Sequence, residues 1–301
     1  MRPMHRLFFG IFGAILLQDL SAAQQEILHE LPGLRNLMHH SDDVYSGSEP
    51  VSEEAFASLK SLGVQTIVSV DGATPNIGMA RMYGIRYVHV PFGYDTIPLT
   101  AQLSLTHAAR RSKTALYVHC HHGKHRGPAA AAIICRVKGL VDAAGALTIM
   151  EHAGTSRDYK GLWQAVELYS VPSDDAKLPQ LVEVATVESL PAAMARIDRN
   201  FDNLKLCAAS NWKAPADHPD LVAIQEALQL QESLHEASRR LSETEHVAEH
   251  DETFREWLNE SDSVAQKLHE TLQADDTTAA TAAFMSLQKS CKQCHAAYRD
   301  Q

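Results

Sequence analysis

The sequence predicts an α/β unit, a mainly parallel sheet flanked by helices, followed by an all-α four-helix bundle. Three observations carry this. Up to about residue 170, short β-branched apolar runs alternate with helix-period patterns, the order of a parallel sheet with crossover helices. Pro172-Ser173-Asp174-Asp175-Ala176-Lys177-Leu178-Pro179 then breaks the periodicity with prolines and charge. Beyond it, apolar residues recur at helical spacing almost throughout. Charge divides at the same place: Gln24 to Val171 carries 13 acids and 13 bases, whereas Pro172 to Gln301 carries 23 acids against 12 bases, a net of −11. The acidic half argues against a nucleic-acid partner. A chain of 301 residues with 45% hydrophobic and 21% charged residues has a globular composition, which excludes disorder as its general state.

The first segment stands outside the fold. Arg2 and Arg6 precede the apolar run Leu7 to Leu17, and Ser21-Ala22-Ala23 offers small residues to a signal peptidase. The run is short for a bilayer span. Residues 1–23 are therefore expected to be a signal peptide, with Gln24 as the mature start and the periplasm as destination; an uncleaved anchor is the alternative. The expected units are 24–171 (α/β), 172–187 (linker) and 188–301 (bundle).

From Glu26 the elements follow in order. Asp43 to Ser46 is a short strand candidate, and Ser52 stands where an N-cap belongs, before a helix pattern ending at Gly63. Gln65 to Val70 is β-branched and apolar, a buried strand. A short helix and a strand at Arg86 to Val90 come next, then a loop, Pro91-Phe92-Gly93-Tyr94-Asp95-Thr96-Ile97-Pro98. A helix from Thr100 to about Arg111, the strand Ala115 to His119, and helices near Pro128–Lys138, Asp142–His152 and Tyr159–Leu168 complete the unit.

Between the last strand and the Ala-rich helix lies His119-Cys120-His121-His122-Gly123-Lys124-His125-Arg126-Gly127-Pro128. At a strand–loop–helix junction the loop N–H groups and the helix N-terminus converge, so residues 121–127 can hold a phosphate-like anion. Cys120 would lie beneath it. The same field, with Arg126 and nearby imidazoles, favours thiolate near neutral pH and makes Cys120 a nucleophile. Arg126 can bind two oxygens through its fork. The histidines and Lys124 make the loop basic, either a preference for polyanionic substrates or only a basic rim.

His-Cys-x5-Arg in this setting resembles the signature of the cysteine-dependent tyrosine and dual-specificity phosphatases, over roughly Leu34 to Ser170. The Gly123-Lys124-His125-Arg126 core looks most like atypical members that act on phosphotyrosine or highly phosphorylated inositols. The resemblance implies an aspartate on an upstream loop as general acid; Asp95 matches, with Asp71, at a strand end, as runner-up. It also implies Ser or Thr after the arginine, to help the cysteine leave. Gly127 stands there instead, which bears on turnover and not on anion binding. A buried cysteine ending a strand is the bland alternative.

In the second half, Met194, Ile197, Phe201 and Leu204 share a face; Leu221, Ile224, Leu228 and Leu234 give a second stripe; Phe254, Trp257, Leu258, Val264 and Leu268 a third; Phe284, Leu287 and Tyr298 a fourth. The last helix carries Cys291-Lys292-Gln293-Cys294-His295, the Cys-x-x-Cys-His spacing of c-type haem attachment. A zinc site would want a second ligand pair, and a redox dithiol would sit in a thioredoxin-like pattern. This arrangement, continued as Ala296-Ala297-Tyr298-Arg299, resembles class II cytochromes of the c′ and c556 group over about Glu188 to Asp300. The resemblance implies a covalent haem c on Cys291 and Cys294, His295 as proximal iron ligand and Arg299 as the basic residue that follows. Met194 is either a distal ligand or plain core. It also leaves open a periplasmic redox partner and a dimer formed through the bundle. Cys135 and Cys207 read as buried free thiols, with a disulfide between them as the alternative.

The expected function is hydrolysis of phosphomonoesters through a cysteinyl phosphate, by an exported protein whose haem unit transfers electrons or senses redox state or a gas. A haem-based sensor or electron carrier whose α/β unit only binds anions is the alternative.

Overall fold

The structure, a computed structural model, describes residues 26–27, 31–41, 43–186, 190–241 and 252–298; the expected signal peptide, the start at Gln24 and Arg299 lie outside these residues. Six strands, β1 (Glu26–Ile27), β2 (Met38–Ser41), β3 (Val44–Ser48), β4 (Val64–Ser69), β5 (Arg86–His89) and β6 (Ala115–Cys120), form one sheet. Their order is β1-β2-β3-β6-β4-β5. The four strands from β3 to β5 are parallel, and β1 and β2 add an antiparallel edge. Nothing in Met38-His39-His40-Ser41 announces β2 by pattern, since a single apolar residue leads it. Antiparallel pairing to β3 decides it, with His40 Nε2 bonded to Ser46 Oγ at 2.8 Å in the interior.

Alternation along the parallel strands makes the core two-sided. Tyr45, Tyr117, Ile67 and Tyr87 lie side by side in register. They bury against Phe56 and Leu59 of helix α1 (Glu53–Ser61), on the face that α2 (Ile77–Met82) shares. One residue further, Val118, Val68 and Val88 point to the opposite face. There α3 (Leu99–Arg111), α4 (Arg126–Val137), α5 (Ala143–His152) and α6 (Lys160–Glu167) cover them. Each such side chain contributes about 1.5–3 kcal/mol by leaving water. Ser52 caps α1 through Ala55 N, and Asp142 caps α5 through Gly145 N at 2.8 Å. In α4, Ala129 to Ala132 are fully buried, small enough for the helix to lie close on the sheet.

The second half is α7 (Leu190–Ala209), α8 (Ala223–Leu241), α9 (Glu252–Gln273) and α10 (Thr277–Tyr298). Ile197, Phe201, Leu204, Leu230, Leu234, Phe254, Leu258, Leu268, Phe284 and Leu287 form its core. The expected second stripe needs correction. Ile224 is 38% exposed, and Leu228 packs into the α/β core, not the bundle. Leu228 and Leu230 lie about 200° apart around α8, so this helix has two buried faces. Trp257 is only half-buried. Cys135 and Cys207 are free thiols in two different cores, so no disulfide joins them; burial raises the Cys135 thiol to about 12.

Residues 172–186 run along the α/β unit. Pro172 O accepts from Arg110, Pro179 O from His107 Nδ1 at 2.6 Å, and Val182 O from the His89 backbone N–H at 2.9 Å. The last bond covers part of the free edge of β5.

Candidate active site and the helix that meets it

The loop after β6 is held from outside through its carbonyls. His121 O accepts from Glu49 N at 3.1 Å, His122 O from Asn36 Nδ2 at 2.7 Å and Lys124 O from Thr155 Oγ1 at 2.7 Å. Gly123 has φ +74, and a Cβ there would stand 2.2 Å from the Gly47 carbonyl carbon; only glycine fits. Cys120, 1% exposed, ends β6, and its sulfur receives the N–H groups of His125 and Gly127 at the entrance to α4. Two N–H groups of the loop thus converge on the Cys120 sulfur.

Asp95 is exposed on the loop after β5 and lines a cleft of about 330 Å³ together with Arg126, Gly72, Tyr94, Glu232 and Glu236. Its loop is fastened from below, because Gly161 of α6 lies so close that a Cβ would be 1.6 Å from Asp95 O. Asp71 is buried, its Oδ1 bonded to Ala73 N at 3.0 Å. Burial, then the charge of Glu49, raises it to about 8 against the pull of Arg126. His119 lies 3.8 Å from its other oxygen, and burial lowers the imidazole to about 4.

Two electrostatic expectations are overturned. Burial, aided by like charge from His121, lowers His122 to about 2, and burial beside Lys124 and Arg126 lowers His125 to about 3. These imidazoles are neutral and add no positive field. The Cys120 thiol is shifted up, not down: burial raises it and Glu232 adds to this, outweighing Arg126 and the two N–H groups.

Glu232 comes from α8, as does most of what the sequence reading missed. Arg126 is 4% exposed, with Nη2 donating to Glu232 Oε2 at 3.0 Å, and Nη1 to Glu236 Oε1 at 2.9 Å and Phe92 O at 3.3 Å. Tyr94 Oη donates to the same Glu232 oxygen, and Gly72 N to Glu236 Oε1 at 2.9 Å. Burial opposes ionisation of Glu236, but Arg126, the Gly72 N–H and Arg196 hold its carboxyl below the usual range. On the same stripe, Gln231 bonds His122 and Asp262, and His235 bridges Asp262 Oδ2 at 3.0 Å and Glu49 Oε2 at 3.2 Å. Gln231, Glu232, His235, Glu236 and Arg239 recur at helical spacing, which reads in sequence as a solvated face. Only burial distinguishes it.

Glu49, His121 and His235 bring three donor atoms within 4.8 Å of one another, a spacing that could suit a cation. Protein cations already neutralise this cluster. Arg239 pairs with Glu49, and although burial works against the His235 imidazolium, its bonds to Asp262 and Glu49 raise it to about 10.

In the bundle, Cys291, Cys294 and His295 share one face of α10, all half-buried, and both thiols are free. Met194 of α7 packs against the same core as Cys291 and Cys294. Asp198 and Lys205 of α7 act electrostatically on Cys291. Two thiols and an imidazole on one face of α10, with the Met194 thioether packed against the same core as the thiols, make a donor set that fits a haem.

Residues 186–299 match the family model of Cytochrome C′, which implies a haem cofactor for this half. The other half is similar to TpbA of P. aeruginosa, at 25% identity and TM-score 0.39, over 46% of this chain and 92% of that one. It is also similar to the core catalytic domain of the PP-IP phosphatase SIW14 from S. cerevisiae, at 19% identity and TM-score 0.39, over 47% and 89%. No curated protein matches the chain. Among the described residues no helix is long and apolar enough to cross a membrane.

Proposed function

We propose that the chain is an exported phosphomonoester hydrolase that works through a cysteinyl phosphate and is joined to a c-type haem unit. The observation that supports it best is the sulfur of Cys120 under two backbone N–H groups at the start of α4, in a site whose buried guanidinium shares a cleft with Asp95. Cys120 as thiolate attacks phosphorus. As the S–P bond forms, the P–O bond to the leaving group breaks, and Asp95 gives that oxygen its proton. Arg126 and the N–H groups of residues 121–127 take up the charge of the equatorial oxygens. Asp95 then accepts a proton from water, whose oxygen attacks phosphorus and releases the thiolate and inorganic phosphate. In the bundle, Cys291 and Cys294 would carry the haem by thioethers, with His295 as proximal ligand and Met194 as distal candidate. When bound, the haem supplies one-electron chemistry or gas binding.

Hydrolysis of an aryl phosphate by the purified protein, abolished in Cys120→Ser, tests the reading. Absence of turnover, also after Glu232→Gln with Glu236→Gln, would sink it. The raised Cys120 thiol and Gly127 favour a second reading, in which the loop binds an anion without turnover and the haem unit carries the function.

A further inference from the structure

The fork that should face the phosphate is already bound to this chain. Both outer nitrogens of Arg126 point at carboxylates of α8, Glu232 and Glu236, whose side chains are 3% and 14% exposed. A carboxylate meets a guanidinium with the same paired geometry as a phosphate. Glu232 and Glu236 take both outer nitrogens of the Arg126 guanidinium, so a phosphate dianion would have to displace them and enter beside two carboxylates. Glu232 also raises the Cys120 thiol.

We propose that α8 is a built-in competitor for the phosphate site, occupying the place of the substrate anion and disarming the nucleophile, so that substrate binds only when the helix withdraws. This regulation rests on Arg126 and Cys120 being the phosphate site described above.

The remaining contacts show a helix docked along its whole length. Leu228 packs into the α/β core, and Gln225 Nε2 donates to Ser156 Oγ at 2.8 Å and to Asp158 Oδ2 at 2.6 Å. His235 and Arg239 clasp Glu49, and Arg239 Nη2 also reaches Thr74 O at 2.9 Å. The docking is nevertheless incomplete. Glu232 Oε1 is buried with no hydrogen-bond partner among the described residues, a cost borne by the docked state. The same helix presents Leu230, Leu234 and Ala237 to the bundle core, and Arg196 of α7, two residues beyond Met194, lies 3.6 Å from Glu236 Oε2. A rearrangement of the bundle therefore acts directly on the catalytic arginine.

The test uses the full-length haem-loaded protein, comparing wild type, Glu232→Gln with Glu236→Gln, and Arg239→Gln, which loosens the clasp outside the cleft. Three quantities are read: alkylation of Cys120 by iodoacetamide, followed by peptide mass spectrometry; binding of inorganic phosphate, by calorimetry; and aryl phosphate turnover. In the double variant, alkylation and phosphate affinity should each rise on the order of tenfold or more, the effect of one lost charge-assisted bond, with a smaller rise in Arg239→Gln. The haem spectrum and thermal unfolding establish that each variant is folded. If neither alkylation nor phosphate affinity rises in either folded variant, the helix is not a competitor. Both rising with no turnover in any form would uphold the competitor and overturn the enzyme; equal turnover in all forms would do the reverse.

Discussion

Replacing Gly127 by serine tests how the loop would handle the second half of the proposed reaction. Departure of the Cys120 thiolate from phosphorus is eased by a hydrogen-bond donor on the sulfur, and Gly127 has no side chain to supply one. The structure has nearly enough space for it. A Cβ at 127 would stand 3.2 Å from Cys120 N, 3.4 Å from His119 C and 3.5 Å from Cys120 Sγ. The neighbours must yield a few tenths of an ångström, and a hydroxyl on that Cβ would be within reach of the sulfur. A hydrogen bond to a charged group is worth about 1.5–3 kcal/mol, so breakdown of the phosphoenzyme should accelerate on the order of ten- to a hundredfold. Stopped-flow assays with an aryl phosphate should show a burst of phenol followed by slow turnover in the parent. In Gly127→Ser the burst should shrink relative to the steady rate. Gly127→Ala separates crowding from hydrogen bonding, because it adds the same Cβ without the hydroxyl. The series belongs also on the Glu232→Gln, Glu236→Gln background, where the open fraction is larger. No burst in the parent, with a steady rate unmoved by serine, would refute the reasoning.

Asp95→Asn should slow turnover about 10²–10⁴-fold for poor leaving groups and much less for p-nitrophenol, because only a basic leaving oxygen needs the proton; a uniform loss would place Asp95 outside the chemistry. The His235 clasp should weaken on alkalinisation. Its pKa rises from 6.5 to about 10 on folding, so its contribution is fully present below pH 6.5 and is lost as pH climbs toward 10. Its size is on the order of a few kcal/mol. The gap in thermal stability between wild type and His235→Gln should be widest near pH 6 and narrow by pH 9; a gap that grows with pH would reverse the assignment. The haem should resist acid–acetone extraction, and Met194→Ala should convert a low-spin ferric spectrum to high-spin. Extraction would release Cys291 and Cys294 from their role, and an unchanged spectrum would return Met194 to the core.

Much of this was legible in the chain. Short β-branched apolar runs on the strands, Ser52 and Asp142 at helix starts, and Cys120 to Arg126 between a strand and an Ala-rich helix are local patterns, and local sterics and hydrogen bonding decide them. The Cys291-x-x-Cys294-His295 face is likewise a matter of spacing on one helix. Tertiary structure alone decided the rest. Whether Cys120 is a thiolate depends on burial and on a carboxylate 112 positions away, and the neutrality of His122 and His125 depends on desolvation that no spacing encodes. The polar stripe of α8 has the composition of a solvated face. Its glutamates acquire meaning only because the bundle packs that face onto the cleft, where low dielectric turns an ordinary charge pattern into a strong and specific contact with Arg126.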